Sequence, residues 1–203
     1  MLRGVLRNAE LRAKVLERAE EFRLNNKAGE TRWFKELVLC ILTANSSFES
    51  AYRSLQEAWE TILDGSEKEV SLALKESGYR FPNLKARYIV GARGKLGKLK
   101  RWIKPIADRD QFRAREELLV IDGIGMKEAS HFLRNVGYFD LAIIDRHILH
   151  FLRRAGAANE TKITPRNYWY LEGVVRSISS AVLMPPGLLD LYLWYLETST
   201  ILK

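Results

Sequence analysis

One cysteine, Cys40, is present among the 203 residues, so no disulfide can form within the chain. It stands in Leu37-Val-Leu-Cys-Ile-Leu42, where a small buried hydrophobe is the expected role. Low-complexity tracts, fixed-period repeats and long apolar runs are also missing. The Arg-, Glu- and Lys-rich N-terminus has neither a signal-peptide core nor a membrane-spanning stretch, which leads us to expect a soluble protein with no membrane partner. Two nucleotide-binding signatures fail. Neither the hairpin at Gly123 nor the segment Gly91–Lys98 places Gly-Lys-Ser/Thr five residues after a glycine, and no β-rich run precedes either one. Finally, no acid occurs between Glu76 and Asp108, whereas Arg80, Lys85, Arg87, Arg93, Lys95, Lys98, Lys100, Arg101 and Lys104 fall there among Tyr79, Phe81, Tyr88 and Trp102. Such a stretch suits phosphate contact, in keeping with a net charge of +8, although a solvated face is the commoner meaning of a charge run.

What is present reads as helix throughout. Apolar spacing predicts helices over Ala9–Arg23, Trp33–Leu42, Ser50–Leu63, Glu67–Glu76, Leu84–Val90 and Arg109–Val120, and Pro186 is placed as the first residue of a last helix reaching about Thr198. Residues 118–137 carry the strongest signal. Leu118, Leu119 and Ile121 end one amphipathic segment, Gly123 and Gly125 are expected to supply positive φ and close backbone approach for a tight turn, and a second helix starts at Met126 with Lys127 on its first turn. Gly137 is a plausible stop for that helix. Backbone N–H groups at such a helix start can donate to a phosphate. On these residues alone, a purely structural turn with a solvated lysine fits as well as a phosphate-binding element. Asp145, eighteen positions after Lys127, follows the apolar run Leu141–Ile144 and is expected to N-cap the next helix, which would leave one carboxylate oxygen free for a ligand.

Leu118, Gly123, Ile124, Gly125, Lys127, Ala129, Asp145 and His147 together resemble the helix-hairpin-helix DNA glycosylases with a catalytic lysine and aspartate. Phe34–Ser47 is similar to that family's first core helix and the loop after it, and Lys85–Ala92 to a later helix. The four cysteines of the iron–sulfur branch are absent, and few strand-like runs leave room for an added β domain. The chain therefore resembles the short type 2 8-oxoguanine DNA glycosylase/AP lyases.

This resemblance implies an all-α fold with two helical lobes flanking a cleft, one formed by residues 1–50 with 140–203 and the other by 51–139, the hairpin lying at about 110–137. It implies a bifunctional enzyme acting as a monomer on double-stranded DNA containing oxidised guanine, in the cytoplasm or nucleoid of a prokaryote. Lys127 would be the nucleophile, forming a Schiff base, and Asp145 would stabilise positive charge on the sugar. Asn45 would fill the gap left by the flipped base, its alternative being a helix end. Phe81, Trp194 and the terminal Lys203 would form the base pocket; for Trp194 simple burial is the competing role, and for Lys203 a frayed end. Gly123, Gly125, Met126 and His147 would contact DNA. Catalysis would need no cofactor and no iron–sulfur cluster, while a structural Na⁺ or K⁺ could sit on the carbonyls of Leu119, Ile121 and Ile124. A glycosylase for a different base and a non-catalytic helix-hairpin-helix module are the alternatives.

Overall fold

The computed structural model describes residues 2–201. Among these the chain forms α1 (Leu2–Leu6), α2 (Ala9–Lys27), α3 (Glu30–Thr43), α4 (Phe48–Glu57), α5 (Trp59–Asp64), α6 (Glu67–Glu76), α7 (Pro82–Ala92), a 3₁₀ turn (Arg93–Lys95), α8 (Leu99–Ala107), α9 (Gln111–Leu118), α10 (Met126–Asn135), α11 (Arg146–Arg154), α12 (Tyr168–Ala181) and α13 (Pro186–Thr198), with no strand. No single helix among them is long and apolar enough to cross a membrane. The chain divides into two compact units. One is Ala28–Phe132; the other joins the residues up to Lys27 with those from Leu133 onward.

The central unit is built around α3, whose Trp33, Phe34 and every residue from Leu37 to Leu42 are buried. A helix apolar on all sides must be wrapped, and α4, α7 and α8 pack on it. For that reason residues 28–50 belong to this unit rather than with the chain ends, where the family resemblance puts them. The C-terminal carbonyls of α3 have no helical partners. Side chains supply them: the Lys85 ammonium donates to Ile41 O at 2.6 Å, the Tyr79 hydroxyl donates to Leu42 O, and Thr43 Oγ1 donates to Cys40 O at 3.0 Å.

Several expected helices stand with small changes of boundary. Ser66 and Glu69 form a reciprocal capping box that starts α6. The segment expected as Ser50–Leu63 is two helices, broken at Ala58 with φ −96° and ψ 3°. In α9 the cap is Asp110, which accepts from Phe112 N and Arg113 N.

The terminal unit is organised in the same way around α13, buried on every side from Gly187 to Leu193 and packed by α1, α2, α11 and α12. Leu11, Val15, Phe22, Leu191 and Tyr192 form one apolar cluster, against which Phe139, Tyr195 and Ile201 also pack. Gly137 adopts φ +88° as the stop after α10. There Asn25 and Asn26 donate to Asn135 O and Val136 O at 2.9 and 2.7 Å, satisfying carbonyls the helix leaves open. Arg134 and Asp190 pair within this unit, both buried, and Gly187 N donates to Phe139 O at 2.8 Å. These contacts fix the entry of α13.

Candidate functional site

The hairpin joins α9 to α10 through two short turns, with Ile121 N donating to Leu118 O at 3.1 Å and Ile124 N to Ile121 O at 3.0 Å. Ile121 and Ile124 point inward and are buried. Gly123 has φ +84°, and a Cβ there would come within 2.5 Å of the Tyr88 ring, so the position demands glycine for both conformation and space. Gly125 corrects the expectation of a second positive φ, since it lies outside the left-handed region. Its missing Cβ instead leaves room for Glu128, whose Oε2 would stand 3.1 Å from it. That same oxygen accepts from Gly125 N at 3.3 Å. At least one N–H of the hairpin thus already has an internal acceptor.

Lys127 stands on the first turn of α10, half-buried, with Nζ 3.2 Å from Glu128 Oε1. Behind the hairpin, the buried Arg115 of α9 donates from Nη1 to Ser130 Oγ at 3.1 Å, and Ser130 Oγ donates to Met126 O at 2.9 Å. This bridge ties the two hairpin helices together. No motif marks Arg115, which in sequence is one more cation among acids.

A pocket of about 330 Å³ opens beside the hairpin, lined by Asn45, Phe81, Leu84, Lys85, Tyr88, Gly123 and Glu128 among others. Asn45 is exposed and holds φ +64°, a conformation uncommon outside glycine but tolerated by asparagine. The structure thus brings Asn45 and Phe81 into one pocket with a hairpin glycine. Burial pushes the Lys85 ammonium down to about 8, with the Glu128 carboxylate opposing and Lys127 adding to the shift. The acid-free stretch is also less uniform than its composition suggests. Lys85 is internal, Arg93 Nε donates to Ile62 O at 3.0 Å, and Lys100 Nζ donates to Ala28 O at 2.6 Å. Arg80, Arg87, Lys98 and Arg101 remain exposed.

In the terminal unit, Asp145 caps α11 as expected, with Oδ1 accepting from His147 N and Ile148 N at 2.9 Å each; Oδ2 takes no part in the cap. The run Leu141–Ile144 that delivers it is buried yet not helical. Buried backbone must find partners, and α12 provides them: Ala142 N donates to Glu172 Oε1 at 3.2 Å, Ile144 N to Tyr168 Oη at 3.3 Å, and Tyr168 Oη to Ala142 O at 3.3 Å. Sequence reasoning missed both side chains, because nothing at positions 168 and 172 advertises a partner so far upstream. The His147 ring meets the Trp194 ring edge-on at 4.6 Å, and Trp194 Nε1 is buried with no hydrogen-bond partner among the described residues. Asp145, His147 and Trp194 thus belong to one unit, and Lys127, Asn45 and Phe81 to the other. Lys203 lies outside the described residues. No cluster of three metal-ligating side chains occurs among the described residues.

Comparison with known proteins gives a consistent result. The family model described as 8-oxoguanine DNA glycosylase matches residues 15–184. The chain is 61% identical to an 8-oxoguanine DNA glycosylase/AP lyase of Metallosphaera sedula and 56% identical to one of Saccharolobus solfataricus, each covering 100% of both chains. It resembles the crystal structure of the 8-oxoguanine DNA glycosylase of Thermotoga maritima with a TM-score of 0.90 at 39% identity, over 100% of this chain and 98% of that one. A Methanocaldococcus jannaschii 8-oxoguanine glycosylase/lyase, solved with a 15-mer DNA containing 8-oxoguanine, gives 0.88 at 40% identity over 98% and 96%.

Proposed function

Since the chain belongs to the 8-oxoguanine DNA glycosylase family, we propose that Lys127 is the nucleophile of its reaction and Asp145 the carboxylate that stabilises the charge formed on the sugar. The enzyme excises 8-oxoguanine from double-stranded DNA and cleaves the strand at the abasic site, the two activities that name its relatives. Excision requires the nucleotide to leave the stack, at a cost of a few kcal/mol. Relieved of its proton, the Lys127 amine attacks C1′, the base departs, and an iminium links enzyme to sugar; loss of the 2′ proton then cuts the strand by β-elimination. Negative charge at Asp145 favours the cationic sugar in the transition state. Its supporting observation is the cap, in which one carboxylate oxygen holds α11 and the other is left out of those bonds.

Around this centre we assign Asn45 to the gap left by the flipped nucleotide, Phe81, Trp194 and Lys203 to the base, and Gly123, Gly125, Met126 and His147 to the DNA backbone. The buried indole N–H of Trp194, with no acceptor among the described residues, suits a wall that meets a polar base. Catalysis draws on side chains and needs no cofactor. For a monovalent cation, the carbonyls of Leu119, Ile121 and Ile124 offer hard oxygen donors; Ile121 O already accepts from Ile124 N and keeps its second lone pair. The protein acts as a monomer in the cytoplasm or nucleoid of a prokaryotic cell.

The observation that carries the assignment is a lysine on the first turn of the hairpin's second helix, inside the stretch matched by the family. Lys127→Gln is expected to abolish base excision and strand nicking while duplex binding survives, and borohydride is expected to trap wild type but not the variant on 8-oxoguanine DNA. Undiminished trapping of Lys127→Gln overturns the nucleophile.

A further inference from the structure

The acid next to the nucleophile has a geometry that the reaction just described does not use. Glu128 has two oxygens with different partners: Oε2 accepts from Gly125 N at 3.3 Å, and Oε1 stands 3.2 Å from Lys127 Nζ. Its side chain is 14% exposed and that of Lys127 28%, so the pair is more sheltered than a surface salt bridge. The backbone anchors one end of the carboxylate, and Gly125 gives it room, a Cβ there closing to 3.1 Å. Asn45, Lys85 and Tyr88 line the pocket it faces.

Resting on the assignment of Lys127 as nucleophile, we propose that Glu128 is its positioning residue and proton acceptor, holding the amine at the hairpin and taking the ammonium proton as the amine attacks. In that step the proton passes from Lys127 Nζ to Glu128 Oε1, whose electron pair makes the new O–H bond. The lone pair freed on Nζ forms the bond to C1′ as the N-glycosidic bond breaks, and its electrons leave with the base, which water then protonates. A bound carboxylate acts here as a local base beside a lysine that would otherwise release its proton to bulk solvent. Lys85, close enough to feel both charges, is the third charged group of this cluster. A capping role alone would be the half of a capping box in which the third helical residue accepts from the cap N–H, and it predicts no effect of charge.

Glu128→Gln separates the two, because its amide oxygen can still accept from Gly125 N while the base is gone. Single-turnover excision of 8-oxoguanine is expected to fall by about tenfold or more, with borohydride trapping slowed in parallel and with duplex affinity and Tm unchanged. Glu128→Ala is expected to be slow as well and to recover part of its rate with added formate, against chloride at equal ionic strength. A rate for Glu128→Gln equal to or above wild type overturns the proposal, as does a loss confined to duplex binding, or a Glu128→Ala that formate does not rescue. With Lys127→Gln measured alongside, an active lysine variant overturns the nucleophile and this proposal together, whereas an inactive one beside a wild-type Glu128→Gln removes Glu128 alone.

Discussion

Asp145 serves a helix and, in the proposed reaction, a sugar, and a single substitution can tell these duties apart. Asparagine caps about as well as aspartate, so Asp145→Asn should move the free energy of urea unfolding by less than about 0.5 kcal/mol. Excision should nonetheless drop by roughly 10²-fold, the scale of losing one electrostatic stabiliser. A variant that melts early and keeps full activity in its folded fraction would leave the residue as a cap alone. Lys85 gives a prediction with a defined pH window. Its ammonium is held down to about 8 from 10.5 by burial. Below pH 8 both folded and unfolded states carry the charge, and the cost of burying it applies in full. Between pH 8 and 10.5 the folded state has released a proton that the unfolded state keeps, so this group's contribution to stability rises with pH, approaching about 1.4 kcal/mol per pH unit. Tyr79, pushed up to about 12 by burial, acts the other way above pH 10. The difference in unfolding free energy between wild type and Lys85→Met, followed from pH 7 to 10, should therefore grow in favour of wild type; a flat difference would mean that Lys85 titrates normally.

Among the elements, the hairpin makes the sharpest demand. Gly123→Ala puts a methyl group 2.5 Å from the Tyr88 ring at φ +84°, and both the overpacking and the backbone strain act against it, by roughly 1–3 kcal/mol each. Combining it with Tyr88→Ala should return part of that loss, because the clash disappears while the left-handed backbone remains; strict additivity in the cycle would show that the ring and the glycine do not interact. What was legible at this scale follows from how local each signal is. Pro186 and Asp145 mark helix starts through groups within four residues of one another, and the hairpin declares itself through spacing. In α8 the apolar stripe Leu99, Ile103 and Ala107 was hidden among cations and Pro105, and the break at Ala58 leaves no mark in composition. Glu172, Tyr168 and Arg115 are harder still: their partners are chosen by tertiary packing, and a buried glutamate or arginine reads in sequence as an exposed one. Glu128 was within reach, standing three residues after Gly125 where a capping acid belongs.

For the molecule as a whole, a net charge of +8 makes binding to undamaged duplex an ionic affair. The logarithm of the association constant should fall linearly with the logarithm of salt concentration, each phosphate contact adding about 0.9 to the slope. Charge reversal at the exposed Arg87 and Lys98 should flatten it, whereas at Arg93 or Lys100, which serve internal carbonyls, the cost should appear in stability instead. An affinity indifferent to salt would contradict a phosphate-led mode. The run Leu141–Ile144, finally, orders events in time. Its amides rest on Tyr168 and Glu172, which leave the ribosome after Asp145 does. Synthesis proceeds from the N-terminus at about 5–20 residues per second, so a growing chain carries its aspartate for about a second or more without the seat that holds it. With Asp145 in its proposed role, the chain acts on DNA only once α12 has been made and has docked against that run, and a nascent chain whose hairpin is already formed stays inactive.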